Sequence, residues 1–155
     1  MIAAALARGL AAGAAGTTAL NVVTYLDMTL RGRPASSVPD AAVTTLAERA
    51  GVSLGEGDAA ENRTSGAGAL LGYLAGLTAG AAYGLVAPVA RSLPRPLAGV
   101  VFGLGVMAAT DASNAALGVS DPREWSGIDW ASDVIPHLAY GVVTVAVHDH
   151  LHAPR

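Results

Sequence analysis

The feature that most constrains this chain is a set of long stretches without a single charge. Residues 9–26 carry none, and residues 2–7 extend that run past Arg8. Residues 65–90 carry none, and 97–110 carry none before Asp111, after which the apolar character resumes as far as Ser120. A helix needs roughly 20 predominantly apolar residues to cross the hydrocarbon of a bilayer, and these three stretches supply them. A fourth, 134–147, is uncharged over only about 14 residues, so it spans only if residues 128–133 are included with Asp129 and Asp133. A re-entrant or interfacial segment is the alternative there.

Composition selects the same solvent. Hydrophobic residues make up 52% of the chain and charged residues 14%, against roughly a quarter charged in a soluble domain. Such a chain cannot cover a water-facing surface with charge, and its apolar stretches lack the charged face that each helix of a soluble bundle needs. The expected fold is all-α: an integral membrane four-helix antiparallel bundle, with residues 1–155 as a single membrane domain and the lipid bilayer as its partner. The helices are expected at about 2–29, 66–91, 96–119 and 129–150.

The connections differ in kind. Residues 31–64 read as one long polar loop with Pro34 and Pro39, carrying a short amphipathic surface helix over 40–50 in which Val43, Leu46 and Ala47 share a face. Residues 91–96 form a tight turn, where Pro94 and Pro96 stop one helix and start the next. Residues 121–129 form another short loop, with Trp125 and Trp130 where interfacial tryptophans belong. The small apolar start resembles a secretory signal, but Arg8 sits inside it and the run continues to Leu26, so it reads as a retained first helix.

Several function classes drop out. Absence of cysteine removes disulfides, thiolate metal sites and cysteine nucleophiles. A net charge of -3, with no basic cluster interleaved with aromatics, leaves no nucleic-acid partner. No Walker loop, strained serine elbow or HExxH is present, so the expectation is a non-enzymatic protein without a cofactor. The nine basic residues are all arginine, and with abundant Ala and Gly this suits a high-GC bacterial genome.

Glycine has a packing explanation. Gly68, Gly72, Gly76, Gly80 and Gly84 recur every fourth residue, and Gly9/Gly13 and Gly99/Gly103 repeat the spacing. In lipid, helices gain little by hiding apolar side chains from one another, so close backbone approach over small residues supplies the contact. The same pattern suits homo-oligomerisation.

The informative polar residues are those inside apolar spans, where each needs a partner. In the fourth helix Asp133, His137, Tyr140 and Thr144 follow spacings of four, three and four, which sets them on one stripe. Asp111 and Asn114 lie one turn apart in the third, and Thr17, Asn21, Thr24 and Tyr25 cluster in the first. In an antiparallel bundle, Asn21, Tyr25, Tyr73, Asp111, Asn114, Asp133, His137 and Tyr140 share one half of the bilayer. Mutual hydrogen bonding accounts for residues such as Asn21 and Thr17. Asp111 near mid-span calls for a partner such as His137, a bound proton or a wetted cavity. Asp111, Asp133 and His137 are also acceptable metal ligands in kind, while His148, His150 and His152 read as a solvated, weakly metal-binding terminus.

The opening Gly-rich helix ending in Asn21 and Tyr25, the run Gly32-Arg33-Pro34-Ala35-Ser36, Gly68 and Gly72 in the second helix, and Pro136-His137-Leu138-Ala139-Tyr140-Gly141 in the fourth together resemble the YagU-like small inner-membrane proteins of bacteria. That resemblance implies a multi-pass protein of the inner membrane, linked to acid tolerance, and brings no catalytic residues with it. Three functions stay open: a stress-tolerance or accessory protein of a membrane assembly, a proton or ion pathway through Asp111, Asp133 and His137, and an embedded metal or lipid-modifying site. Arg8, Arg91, Arg95 and Arg155 on one face argue for cytoplasmic termini, against Arg31, Arg33, Arg63 and Arg123 on the other.

Overall fold

A computed structural model describes residues 2–90 and 92–152. It is helical, with no strand among the described residues: α1 (Ile2–Arg31), α2 (Val38–Ala50), α3 (Gly57–Ala90), α4 (Arg95–Leu117), a 3-10 turn at Pro122–Glu124 and α5 (Gly127–His152). By length and composition α3, α4 and α5 can each cross a membrane, which marks the chain as a helical membrane protein. Glycine, threonine and Asn21 dilute the hydropathy of α1, which is nonetheless 30 residues long.

Two boundaries differ from those the sequence suggests. The segment 31–64 is mostly helical, because α3 begins at Gly57 instead of at 66. Its first two turns are polar but contain no proline, and Asp58 in the first turn complements the positive end of the helix. Hydropathy reports depth in a membrane, whereas helix propagation continues through polar residues once a nucleus exists. α5 likewise starts early, at Gly127, on a reciprocal cap. Asp129 Oδ2 accepts from the Ser126 backbone N–H at 2.9 Å, and Ser126 Oγ accepts from the Asp129 N–H at 3.3 Å. Pro136 therefore falls inside the helix, where its ring nitrogen cannot donate and the carbonyl of Ser132 loses its helical partner.

The long helices meet over glycine, as residue pairs that run in opposite directions along the two chains. A Cβ built on Gly13 would lie 2.7 Å from the carbonyl oxygen of Gly76, and one on Gly84 would strike the Ala5 carbonyl, so α1 and α3 are antiparallel and in backbone contact. α1 also lies antiparallel along α5, where Gly16 faces Tyr140 and Thr144. α4 runs antiparallel to α5, with Gly99 against Val142 and Gly103 against the His137 carbonyl and Gly141. α3 and α4 touch at few points; aromatic rings fill the space between them, with Tyr83 and Phe102 centroids 4.7 Å apart.

Gly72 departs from the other members of its repeat: it is exposed, and nothing lies within 4 Å of its added Cβ. Every fourth residue turns 400°, so the row drifts by about 40° at each step. Five members cannot face one neighbour. Gly76, Gly80 and Gly84 face α1, Gly68 faces Pro39 and Asp40 of α2, and Gly72 falls between.

α2 closes the end where α1 finishes. Ala42 and Val43 are buried while Leu46 is exposed, and Arg49 donates to the Leu117 carbonyl at the end of α4 at 3.2 Å. Gly51 ends α2 in the left-handed region at φ 68°, with its N–H and that of Val52 returning to Glu48 and Ala47. Asp121 caps the 3-10 turn, and its hydrogen bonds from the Arg123 side chain and backbone hold its carboxyl down to about 2. Trp125 and Trp130 pack edge to face beside that turn.

The interior holds little bulk apolar side chain. Ala12, Ala87, Ala98, Val145 and two tyrosines are buried, whereas Leu30, Leu70, Leu74, Val86, Val89 and Val101 point outward. An exterior of that kind is an aggregation hazard in water and the ordinary surface of a helical protein in lipid.

Candidate functional site

The sequence stripe on α5 exists as drawn, and it continues further. Asp133, His137, Tyr140 and Thr144 face the interior, and His148 extends them by one more turn. Surface exposure falls along this line. The Asp133 and His137 side chains are 26% and 13% exposed, whereas Tyr140, Thr144 and His148 are 1%, 0% and 2% exposed. The stripe is partly exposed at the end nearest α2 and buried from Tyr140 onward.

At the partly exposed end three titratable groups converge. His137 Nδ1 lies 2.9 Å from the backbone carbonyl of Asp133 and 3.3 Å from its Oδ1. A carbonyl only accepts, so Nδ1 carries the hydrogen and Nε2 is the basic atom of the ring. Asp111 on α4 lies within interaction range of both Asp133 and His137. Two carboxylates and an imidazole this close in a low-dielectric site can hold a proton in more than one place. Asp133 Oδ2 is buried, and the Asp111 carboxyl lies close enough to the Asp133 carboxyl to share a hydrogen bond with it.

The seal begins at Tyr140. Its hydroxyl donates to the Gly76 carbonyl of α3 at 2.7 Å, an interhelical bond in a buried setting. Its ring approaches Phe102 at 5.8 Å, Phe102 leads to Tyr83, and Tyr83 meets His148 edge to face at 5.2 Å. The backbone contacts of Gly13, Gly80, Gly99 and Gly141 surround this aromatic column. Tyr140→Phe is expected to destabilise the fold by about 1 kcal/mol, within the range of interhelical hydrogen bonds in membranes. Reversible unfolding in mixed micelles measures it; an unchanged midpoint would show the bond to be worthless.

Other sequence candidates fall elsewhere. Tyr25 is exposed, as is Tyr73, so neither belongs to the cluster. Asn21 and Asn114 are half-buried on α1 and α4. Thr17 is satisfied within its own helix by the Gly13 carbonyl at 2.9 Å, instead of across helices. Among the described residues no group of three His, Asp or Glu side chains is placed to hold a metal. Of the terminal histidines, His150 and His152 are exposed as expected, whereas His148 is buried, its ring stacked on that of His152 at 6.3 Å. The signal for His148 was present in the spacing, since four residues beyond Thr144 repeats the interval of the stripe.

Beyond the triad, Asp27 pairs with both Arg31 and Arg33, and Arg31 reaches the Ser132 hydroxyl at 2.6 Å. This network ties the end of α1 to the first turns of α5. No family model matches the chain, and neither a curated protein nor a solved structure does.

Proposed function

We propose that this chain is a non-enzymatic, four-span protein of the bacterial inner membrane whose Asp111, Asp133 and His137 take up and pass on protons reached from one face. The observation that carries this reading is the exposure gradient: Asp133 and His137, with Asp111 of α4 beside them, lie at the partly exposed part of a stripe whose remainder is buried. α1 counts as the fourth span because it is held along α3 and α5 over backbone contacts and so shares their depth. The resemblance to YagU-like inner-membrane proteins, with their link to acid tolerance, points the same way.

Cytoplasmic termini go with the short connection between α3 and α4, which sets Arg95 on the same face as Arg8. At the termini's face lie Arg8 and Arg95 with Asp149 as the sole carboxylate, whereas every other Asp and Glu lies toward the opposite end. There, Arg31 and Arg33 are paired with Asp27 and Arg123 with Asp121, while Arg49 and Arg63 donate to backbone carbonyls. Arg91 and Arg155, which the sequence counts with the termini, lie outside the described residues. Positive charge retained at the cytoplasmic side is the general pattern.

The test is proton flux in liposomes under an imposed pH gradient. Asp111→Asn keeps the shape but fixes the site neutral, and it is expected to lower flux by at least about tenfold, the size of a lost acid-base group. Asn21→Ala is expected to leave it unchanged. Equal, negligible effects from the two would remove the proposal.

A further inference from the structure

We infer that His148 is a second proton-binding station on the far side of the seal, so that α5 carries a proton route from one membrane face to the other. This rests on the proton reading of the triad. His137 and His148 are eleven residues apart, three helical turns, and so lie about 16 Å apart and within about 20° of one direction. That separation covers about half of the roughly 30 Å hydrocarbon. Between them the stripe offers the hydroxyls of Tyr140 and Thr144, one turn apart, with the Phe102 ring of α4 packed beside Tyr140.

The surroundings of His148 suit an exit. From α3 the Tyr83 ring meets it edge to face, and from α5 itself His152 stacks on it. Asp149 Oδ1 lies 4.0 Å from its Nδ1, and Oδ2 of the same carboxylate pairs with Arg95 of α4 at 2.9 Å. From α1, Arg8 is half-buried at this end. Arg95 is 80% exposed, so the pair joins a buried imidazole to the aqueous face. A proton taken up at a triad carboxylate or at Nε2 of His137 passes the hydroxyl level through transient water, binds an imidazole nitrogen of His148 and leaves to water at the termini's face. One positive charge crosses, and nothing is oxidised or reduced.

The experiment uses the full chain in phosphatidylethanolamine/phosphatidylglycerol vesicles, with the potential clamped by potassium and valinomycin and an entrapped pH dye. His148→Phe keeps a ring against Tyr83, and His148→Gln keeps a polar side chain. Both are expected to lose the flux while the His137 imidazole, followed by nitrogen NMR, titrates as in the wild type. Wild-type flux in either variant would overturn the inference and leave the triad standing. A His137 signal that never titrates between about pH 5 and 8 would instead sink the triad reading and the route with it. Should neither variant insert, the wild-type His148 signal decides: titration supports the station, and a constant signal overturns it.

Discussion

Gly80→Val is expected to abolish the folded bundle, with a loss of at least about 3 kcal/mol, the upper range for overpacking a tight interface. A Cβ at this position would lie 2.5 Å from the Gly9 carbonyl oxygen and 2.7 Å from the Gly13 nitrogen, besides striking the Gly13 Cα. These are backbone atoms and cannot rotate aside. Relief requires α1 and α3 to separate along their length, which also strips the contact that lets Tyr140 reach Gly76. Gly72→Val is the internal control, because its side chain would enter open space and valine is well tolerated in a membrane helix. Unfolding in mixed micelles, followed by tryptophan fluorescence, should give a near-normal midpoint for Gly72→Val and no cooperative transition for Gly80→Val. Similar midpoints for the two would show that the α1/α3 contact is not what holds the bundle together.

His137→Phe is expected to keep the fold and remove the response to pH. The phenylalanine ring fills the same partly exposed space beside Pro136, and the bond it forfeits is local, from Nδ1 to the Asp133 carbonyl one turn earlier. No hydrogen bond to another helix is lost, and Asp111 of α4 forfeits only its electrostatic neighbour. The basic Nε2 disappears, however, and with it the one group of the triad whose ordinary titration falls near neutral pH. The missing amide at Pro136 makes the backbone around Ser132 an additional place for water to enter. In the liposome assay, wild-type flux should vary several-fold across about pH 5 to 8, and that of His137→Phe should be flat and low. A variant with the wild-type pH profile would make His137 a packing residue.

How much of this was legible in the residues follows from what each signal encodes. Uncharged length located α3, α4 and α5, because desolvation acts on composition directly. The spacing of Asp133, His137 and Tyr140 gave a true stripe, because a helix fixes direction at 100° per residue. Hydropathy missed the polar first turns of α3, which are helical without being buried. It also read His148 as part of a solvated tail, since sequence alone does not show that Tyr83 covers it. Tyr25 looked like a member of the cluster by depth, but the angular position of α1 turns it outward. Depth follows from sequence separation, whereas facing depends on which helix becomes the neighbour. The pairing of α1 with both α3 and α5 was not written in any single segment.

The proposed proton site at Asp111, Asp133 and His137 requires access from one face only, and the chain's lack of cysteine allows this to be tested without background. A single cysteine replacing His137, in oriented membrane vesicles, should react with a membrane-impermeant thiol reagent added on the side where α1 ends, and should be protected when the reagent is added on the side of the termini. Protection from both sides, or equal reaction from both, would contradict it.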